Sequence, residues 1–314
     1  MILRRAFIVL LLVSLFLKGC AERRVETDEI IPDSADCLVK LRYQEVRSDP
    51  FLSSFVDLKQ IEEIFKGISI NPQEVHELVI LSDLKEMFGM IVRGNLDPRG
   101  IKDKLKEEGA LEERYEGDKL FRSPEGEIFL TFISRDILIF GSRSCIESVW
   151  DARRKRAKSW AEDEELMDLK GELSSSPLPM RMYLKVPQQL MDALGVSIEG
   201  AKGVLNLIDL KPFAELISLV GRIAMVEGVG AAIGRRGDKI RLQALYVMAD
   251  EKMASIISGI VALAEGLTHV IPREGMGEED IEAINMLRNV EMERRGRLLS
   301  ITWELDVQAS QENP

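Results

Sequence analysis

The stretch His76–Gly94 reads HELVILSDLKEMFGMIVRG. Two apolar, β-prone runs, 76–82 and 86–94, flank a turn at Asp83-Leu84-Lys85, which predicts a pair of strands. Upstream, residues 37–43 (CLVKLRY) alternate as a third strand. Asp49-Pro50 opens an amphipathic stretch to about Phe65, in which Phe51, Leu52, Phe55, Val56, Leu58, Ile61, Ile64 and Phe65 recur at helical spacing. Downstream, Asp97-Pro98 starts a helix to about Glu108, with Ile101 and Leu105 on one face and Pro98 in the first turn, where its missing N–H costs nothing. Residues 111–122 read as a hairpin about Glu116-Gly117-Asp118, and 127–133 with 136–141 as a second about Ser134-Arg135. Ser142 or Ser144 then caps a helix carrying Ile146, Val149 and Trp150.

Strand, helix, strand, strand, helix and then hairpins define an α+β class, with antiparallel sheet and helices on one face. The order resembles a ferredoxin-like split βαβ unit with added hairpins. In that arrangement the first strand lies antiparallel to the last. Cys37 begins the one and Cys145 follows the other, which leaves two readings open, a Cys37–Cys145 disulfide and two separate buried thiols. Residues 160–179 change character: Glu162-Asp163-Glu164-Glu165 is acidic and Ser174-Ser175-Ser176-Pro177 ends the run, which reads as a linker between a domain at 33–159 and a second at 180–307. In the second, 180–186 is a strand, and Pro187–Leu194 and Lys211–Val220 look helical. Residues 222–233 and 239–248 form a long hairpin. Helices at about 250–268 and 278–289 and strands at 290–295 and 297–306 follow, ahead of a frayed tail at 308–314. Both halves open strand-then-helix and hold hairpins, which suggests a duplicated α+β unit. The shape loosely resembles the many uncharacterised duplicated α+β proteins of bacterial envelopes, a likeness that carries no activity.

Composition narrows the function classes. The 314 residues carry 42 Lys plus Arg against 53 Asp plus Glu, a formal charge of −11. Nucleic-acid binders need basic surface to displace counterions, so a nucleic-acid partner is not expected. The two histidines, His76 and His269, stand nearly two hundred residues apart, which leaves no basis for a multi-histidine metal site or a Ser-His-Asp triad. No cofactor and no metal are expected. Gly228–Gly234 (GVGAAIG) misses the dinucleotide spacing, because its third glycine is one position late and a basic turn follows in place of a helix. Arg236-Gly237-Asp238 is turn chemistry, and Met180-x-Met182 is a core pair before it is a copper site.

The N-terminus is an address. Arg4-Arg5 precede an apolar run, Ala6–Leu17, broken only by Ser14. Twelve residues make a helix of about 18 Å against roughly 30 Å of hydrocarbon, too short for a stable span and right for a signal peptide over 1–19. Leu17-Lys18-Gly19-Cys20 resembles the lipobox of bacterial lipoproteins, with Lys18 where that family usually has a small or apolar residue. The resemblance implies cleavage before Cys20, lipidation of its sulfur and membrane attachment through that lipid. Ala21 after the cysteine resembles outer-membrane sorting, on the periplasmic side, in a Gram-negative envelope. Cleavage removes three positive charges (Arg4, Arg5, Lys18) and takes the formal charge from −11 to −14. Residues 20–32 then read as a tether.

The segment 253–264 (MASIISGIVALA) carries no charge and is apolar nearly all round. Ile256, Ile257, Ile260 and Leu263 are therefore core, or a face for a ligand or partner. Three functions follow: a non-catalytic binding or scaffold module of the envelope with a protein partner; a carrier of an apolar or lipid ligand held between sheet and helix; and an enzyme working through carboxylates alone, the least supported because aromatic cleft residues are scarce. A closed apolar cavity of several hundred Å³ would favour the carrier, and a flat exposed apolar patch or an open strand edge the scaffold.

Overall fold

The computed structural model describes residues 25–162, 167–185, 226–270 and 290–306. The expected helices at 187–194, 211–220 and 278–289, the signal, Cys20 and the tail lie outside the described residues.

The class is α+β. Twelve strands form one antiparallel sheet: β1 (Cys37–Arg42), β2 (Val75–Ser82), β3 (Phe88–Gly94), β4 (Leu111–Tyr115), β5 (Asp118–Arg122), β6 (Phe129–Phe132), β7 (Ile137–Gly141), β8 (Met180–Lys185), β9 (Val226–Arg236), β10 (Lys239–Met248), β11 (Val290–Arg295) and β12 (Leu298–Asp306). Their order is β11-β12-β10-β9-β8-β1-β2-β3-β7-β6-β5-β4. The halves, each expected to hold its own sheet, are joined edge to edge by β1 and β8, with Cys37 opposite Leu184 and Leu41 opposite Met180.

The helices are α1 (Tyr43–Ser48), α2 (Pro50–Ser53), α3 (Leu58–Gly67), α4 (Pro98–Glu107), α5 (Arg143–Arg153), α6 (Met167–Ser175) and α7 (Glu251–Val270). Single aspartates start three of them by accepting from orphan N–H groups: Asp49 from Phe51 at 2.9 Å, Asp57 from Gln60 at 3.0 Å and Asp97 from Arg99 at 3.1 Å. The cap at Asp57 interrupts what the periodicity alone draws as one helix over 50–65. The β4–β5 turn takes positive φ at both Glu116 (48°) and Gly117 (98°), the hairpin geometry that matches strand twist.

Side chains alternate across each strand, so the sheet has two apolar faces. The first carries Val39, Leu78, Ile80, Met90, Val92 and Phe140, covered by Val46 of α1, Ile61 and Phe65 of α3 and Ile101 of α4. It continues through Ile240 to Ala244 and Tyr246 on the same side of β10, where α7 adds Ala254. The second carries Leu38, Val79, Ile91 and Ile139, covered by Ile146, Val149 and Trp150 of α5 and Leu169 and Leu173 of α6. Helices thus lie on both faces. Met180 and Met182 belong to the first core.

Three expectations are corrected. Cys37 and Cys145 are both free and buried. Two strands, β2 and β3, separate β1 from β7, and the thiols enter cores on opposite faces, so no bond joins them. The stretch read as a linker, 160–179, is built into the body: Trp160, Leu169 and Leu173 are buried between its charge runs. Gly230 of β9 allows this, because a Cβ there would stand 2.7 Å from Leu169 Cδ1. The tether expected over 20–32 ends early. Ile30 and Ile31 are 1% and 0% exposed, and the Trp160 amide donates to the Ile31 carbonyl at 2.7 Å. Residues 26–28 are also held by charge. Lys40 lies 2.9 Å from Asp28 and 3.4 Å from Glu77, and Arg93 lies 3.6 Å from Glu26. The Thr27 hydroxyl donates to Glu77 at 2.5 Å. Residues 25–36 are therefore a strap across the second face.

Candidate functional site

An opening lies on the first face, where the sheet runs out from under α3 and α4. It is an apolar groove of about 760 Å³, within the ~300–1,000 Å³ usual for ligand sites. Its floor is Ile80, Met90, Leu130 and Phe140 from four strands. Ile64 and Ile68 from the α3 end form one wall, and Leu105 of α4 with Ala110 just beyond it form the other. At the mouth stand Phe88, 46% exposed, and Ile128, 37% exposed, the large apolar side chains there that the core does not absorb.

Local chemistry fixes the mouth. The Asp83 carboxylate accepts from the amides of Lys85, Glu86 and Met87 at 2.9, 2.9 and 2.8 Å. This closes the turn between β2 and β3, an Asx-type turn. The Phe88 amide then donates to Ser142 Oγ at 3.2 Å, and its carbonyl accepts from the Ser142 amide at 2.9 Å. Phe88 is thereby held on the same side of β3 as Met90, facing the groove. Gly141 permits that approach, since a Cβ there would stand 2.3 Å from the Phe88 carbonyl oxygen. Gly67, at the α3 wall, faces open space: a Cβ there meets nothing within 4 Å.

The polar groups of the groove stand at its rim. Lys85, Glu86 and Glu125 are exposed, and Glu108 pairs with Lys104 at 3.2 Å. Apart from Gln60, Ser82 and Ser123 the rest of the lining is apolar, a surface that could take apolar matter. Burial pushes the Cys37 thiol up to about 12, with Asp36 adding to it, and pushes Cys145 up to about 12, with Asp83 adding to it. Neither thiol is activated as a nucleophile, which would need a lowered value. Among the described residues, no group of three His, Cys, Asp or Glu side chains is placed to hold a metal ion, and no helix is long and apolar enough to cross a membrane.

The α7 residues singled out by sequence take a different place. Ile257 packs against the core beside Tyr246, and Ile256 is 46% exposed; the side chains of Ile260 and Leu263 lie outside the described residues. The groove is lined by neither Ile256 nor Ile257; it lies beneath α3 and α4. His76 is exposed at the head of β2, and His269 stands in the last turn of α7. The GVGAAIG segment lies inside β9 and leads into a turn and β10. Reading the sequence alone missed the groove. Its one linear trace is Phe88, an aromatic residue placed directly after a charged turn.

The sequence matches no protein-family model and no curated protein. Among solved structures, the chain is similar to three crystal forms of TP0453. Form I is 8% identical over 91% of this chain and 95% of that chain, with a TM-score of 0.45. Form III is 9% identical over 91% and 96%, with a TM-score of 0.46. Form IV is 10% identical over 93% and 97%, with a TM-score of 0.47.

Proposed function

We propose that this protein is a non-catalytic lipoprotein of a bacterial envelope, anchored through lipid on Cys20, whose body carries the apolar chain of an amphiphile in the groove under α3 and α4. The groove carries the proposal: about 760 Å³, with a mostly aliphatic and aromatic lining, Gln60, Ser82 and Ser123 among it, and charges at its rim. Each buried CH₂ of a ligand contributes about 0.8 kcal/mol before the cost of association. A single chain lying along such a lining reaches useful affinity without any specific polar contact. The anchor is supported by the apolar run Ala6–Leu17 and the Leu17-Lys18-Gly19-Cys20 signature.

The test is a titration of the soluble body with N-phenyl-1-naphthylamine, a neutral apolar fluorophore. Saturable binding to one site is expected. Gly67→Leu, which projects a side chain into open space at the groove wall, weakens it at least tenfold, about 1.4 kcal/mol. The same substitution leaves stability unchanged or raises it by up to about 1 kcal/mol, because glycine is the poorer helix former. Binding that ignores Gly67→Leu contradicts the proposal.

A further inference from the structure

The start of the strap and the mouth of the groove lie at opposite ends and on opposite faces of the β2–β3 pair. Thr27 bonds Glu77 and Glu26 faces Arg93, which puts the start of the strap at the Glu77–Arg93 end of β2 and β3. The mouth of the groove lies at Phe88, five residues along β3 from Arg93, about 17 Å at the rise of a strand. Glu77 and Arg93 alternate onto the side of Val79 and Ile91, the second face, whereas Phe88 shares the side of Met90, the first. Crossing the sheet adds roughly 10 Å, the spacing of packed layers. The separation is therefore about 20 Å.

Only five residues stand between Cys20 and Glu26, six Cα–Cα steps. Six steps reach about 22 Å at full stretch and roughly 13 Å on average for a flexible chain. To set the groove on the bilayer, the body would have to turn over. The link would then have to run at its limit from the membrane, around the body, to the far corner.

We infer that the groove opens away from the bilayer that holds the protein, and that it exchanges single-chain amphiphiles arriving as monomers from the aqueous side. The inference rests on the proposed lipid anchor and on the groove as the ligand site. In this arrangement the strap is an orienting device: Ile30 and Ile31 lock it into the second core, and its ion pairs fix the end from which the anchor leaves.

The experiment compares three forms of the protein with phosphatidylcholine vesicles containing pyrene-labelled lysophosphatidylcholine. The first is the lipidated protein reconstituted into those vesicles. The second is the chain from Ala21, soluble and added at the same concentration. The third is the lipidated protein with twenty Gly and Ser residues inserted after Ala21. The lipidated and soluble forms are expected to load within twofold of each other, because both draw on monomers in water. The long-linker form is expected to load at least fivefold faster, because its groove can reach the bilayer. A lipidated protein that loads as fast as the long-linker form, with both at least fivefold faster than the soluble chain, overturns the inference. A soluble chain that binds no probe overturns the groove reading beneath it, and intact mass reports the anchor independently of the rates.

Discussion

The two faces of β2 and β3 are made from alternate residues of the same strands, yet they end differently. On the second face Val79, Leu81 and Ile91 are sealed by the strap, α5, Trp150 and Trp160, each 5% exposed or less. On the first face Ile80 and Met90 are also buried, but toward the Ser82 end the cover stops and Phe88 stands 46% exposed above the groove. Protein interiors are otherwise packed to the density of organic crystals. A face left apolar and open beside a filled one is the side on which the proposed ligand would sit.

The sharpest way to break this comparison is to open the closed face. Ile31→Ala removes a fully buried side chain from the strap and should cost about 2–5 kcal/mol in urea unfolding. Probe binding by the remaining folded protein should stay unchanged, because Ile31 lies across the sheet from the groove. The buried thiols give the next effect. Cys37 and Cys145, one in each core, sit near 12 when folded against an ordinary 9.0. A raised value favours the protonated folded state, so the stabilisation is complete below pH 9 and declines as pH rises toward 12, where the unfolded thiols ionise and the buried ones do not. Unfolding at pH 8 and pH 10 should differ by roughly 1.4 kcal/mol per thiol, and Cys37→Ser with Cys145→Ser should remove that slope while adding a cost of its own. Both thiols should also resist alkylation at pH 8 until the protein unfolds.

On the open face the effect moves from stability to binding. Phe88→Ala should weaken probe affinity about tenfold and shift stability by no more than about 0.5 kcal/mol, since the ring is half exposed. The smallest effect belongs to the outer surface of the helices over the first face. Arg47 pairs with Glu62 at 2.8 Å, both more than a third exposed, and Arg47→Ala should cost about 0.2–1 kcal/mol, less in high salt.

Local signals placed much of the fold. The apolar runs of β2 and β3, the Asp97-Pro98 start of α4 with Ile101 and Leu105 buried, the Glu116-Gly117 turn and the Ser142 cap all state their structure within a few residues. The pairing of β1 with β8 is not local. β1 has two edges to offer, and nothing in CLVKLR says that the second is filled from residues 180–185. Ile30-Ile31 and Leu169 with Leu173 are short apolar signals inside charged surroundings, so the strap and α6 read as tether and linker. The groove depends on how far apart α3 and α4 lie on the sheet, a distance that tertiary packing sets and no motif records.

Methionine-methyl NMR of the body with a neutral single-chain amphiphile such as decyl maltoside tests the central claim most directly. Met90 lies on the groove floor, whereas Met248 is buried in a core away from it. The groove reading predicts a saturable shift at Met90, lost in Gly67→Leu, with Met248 unmoved. An equal shift at Met248, or none at Met90, would contradict it.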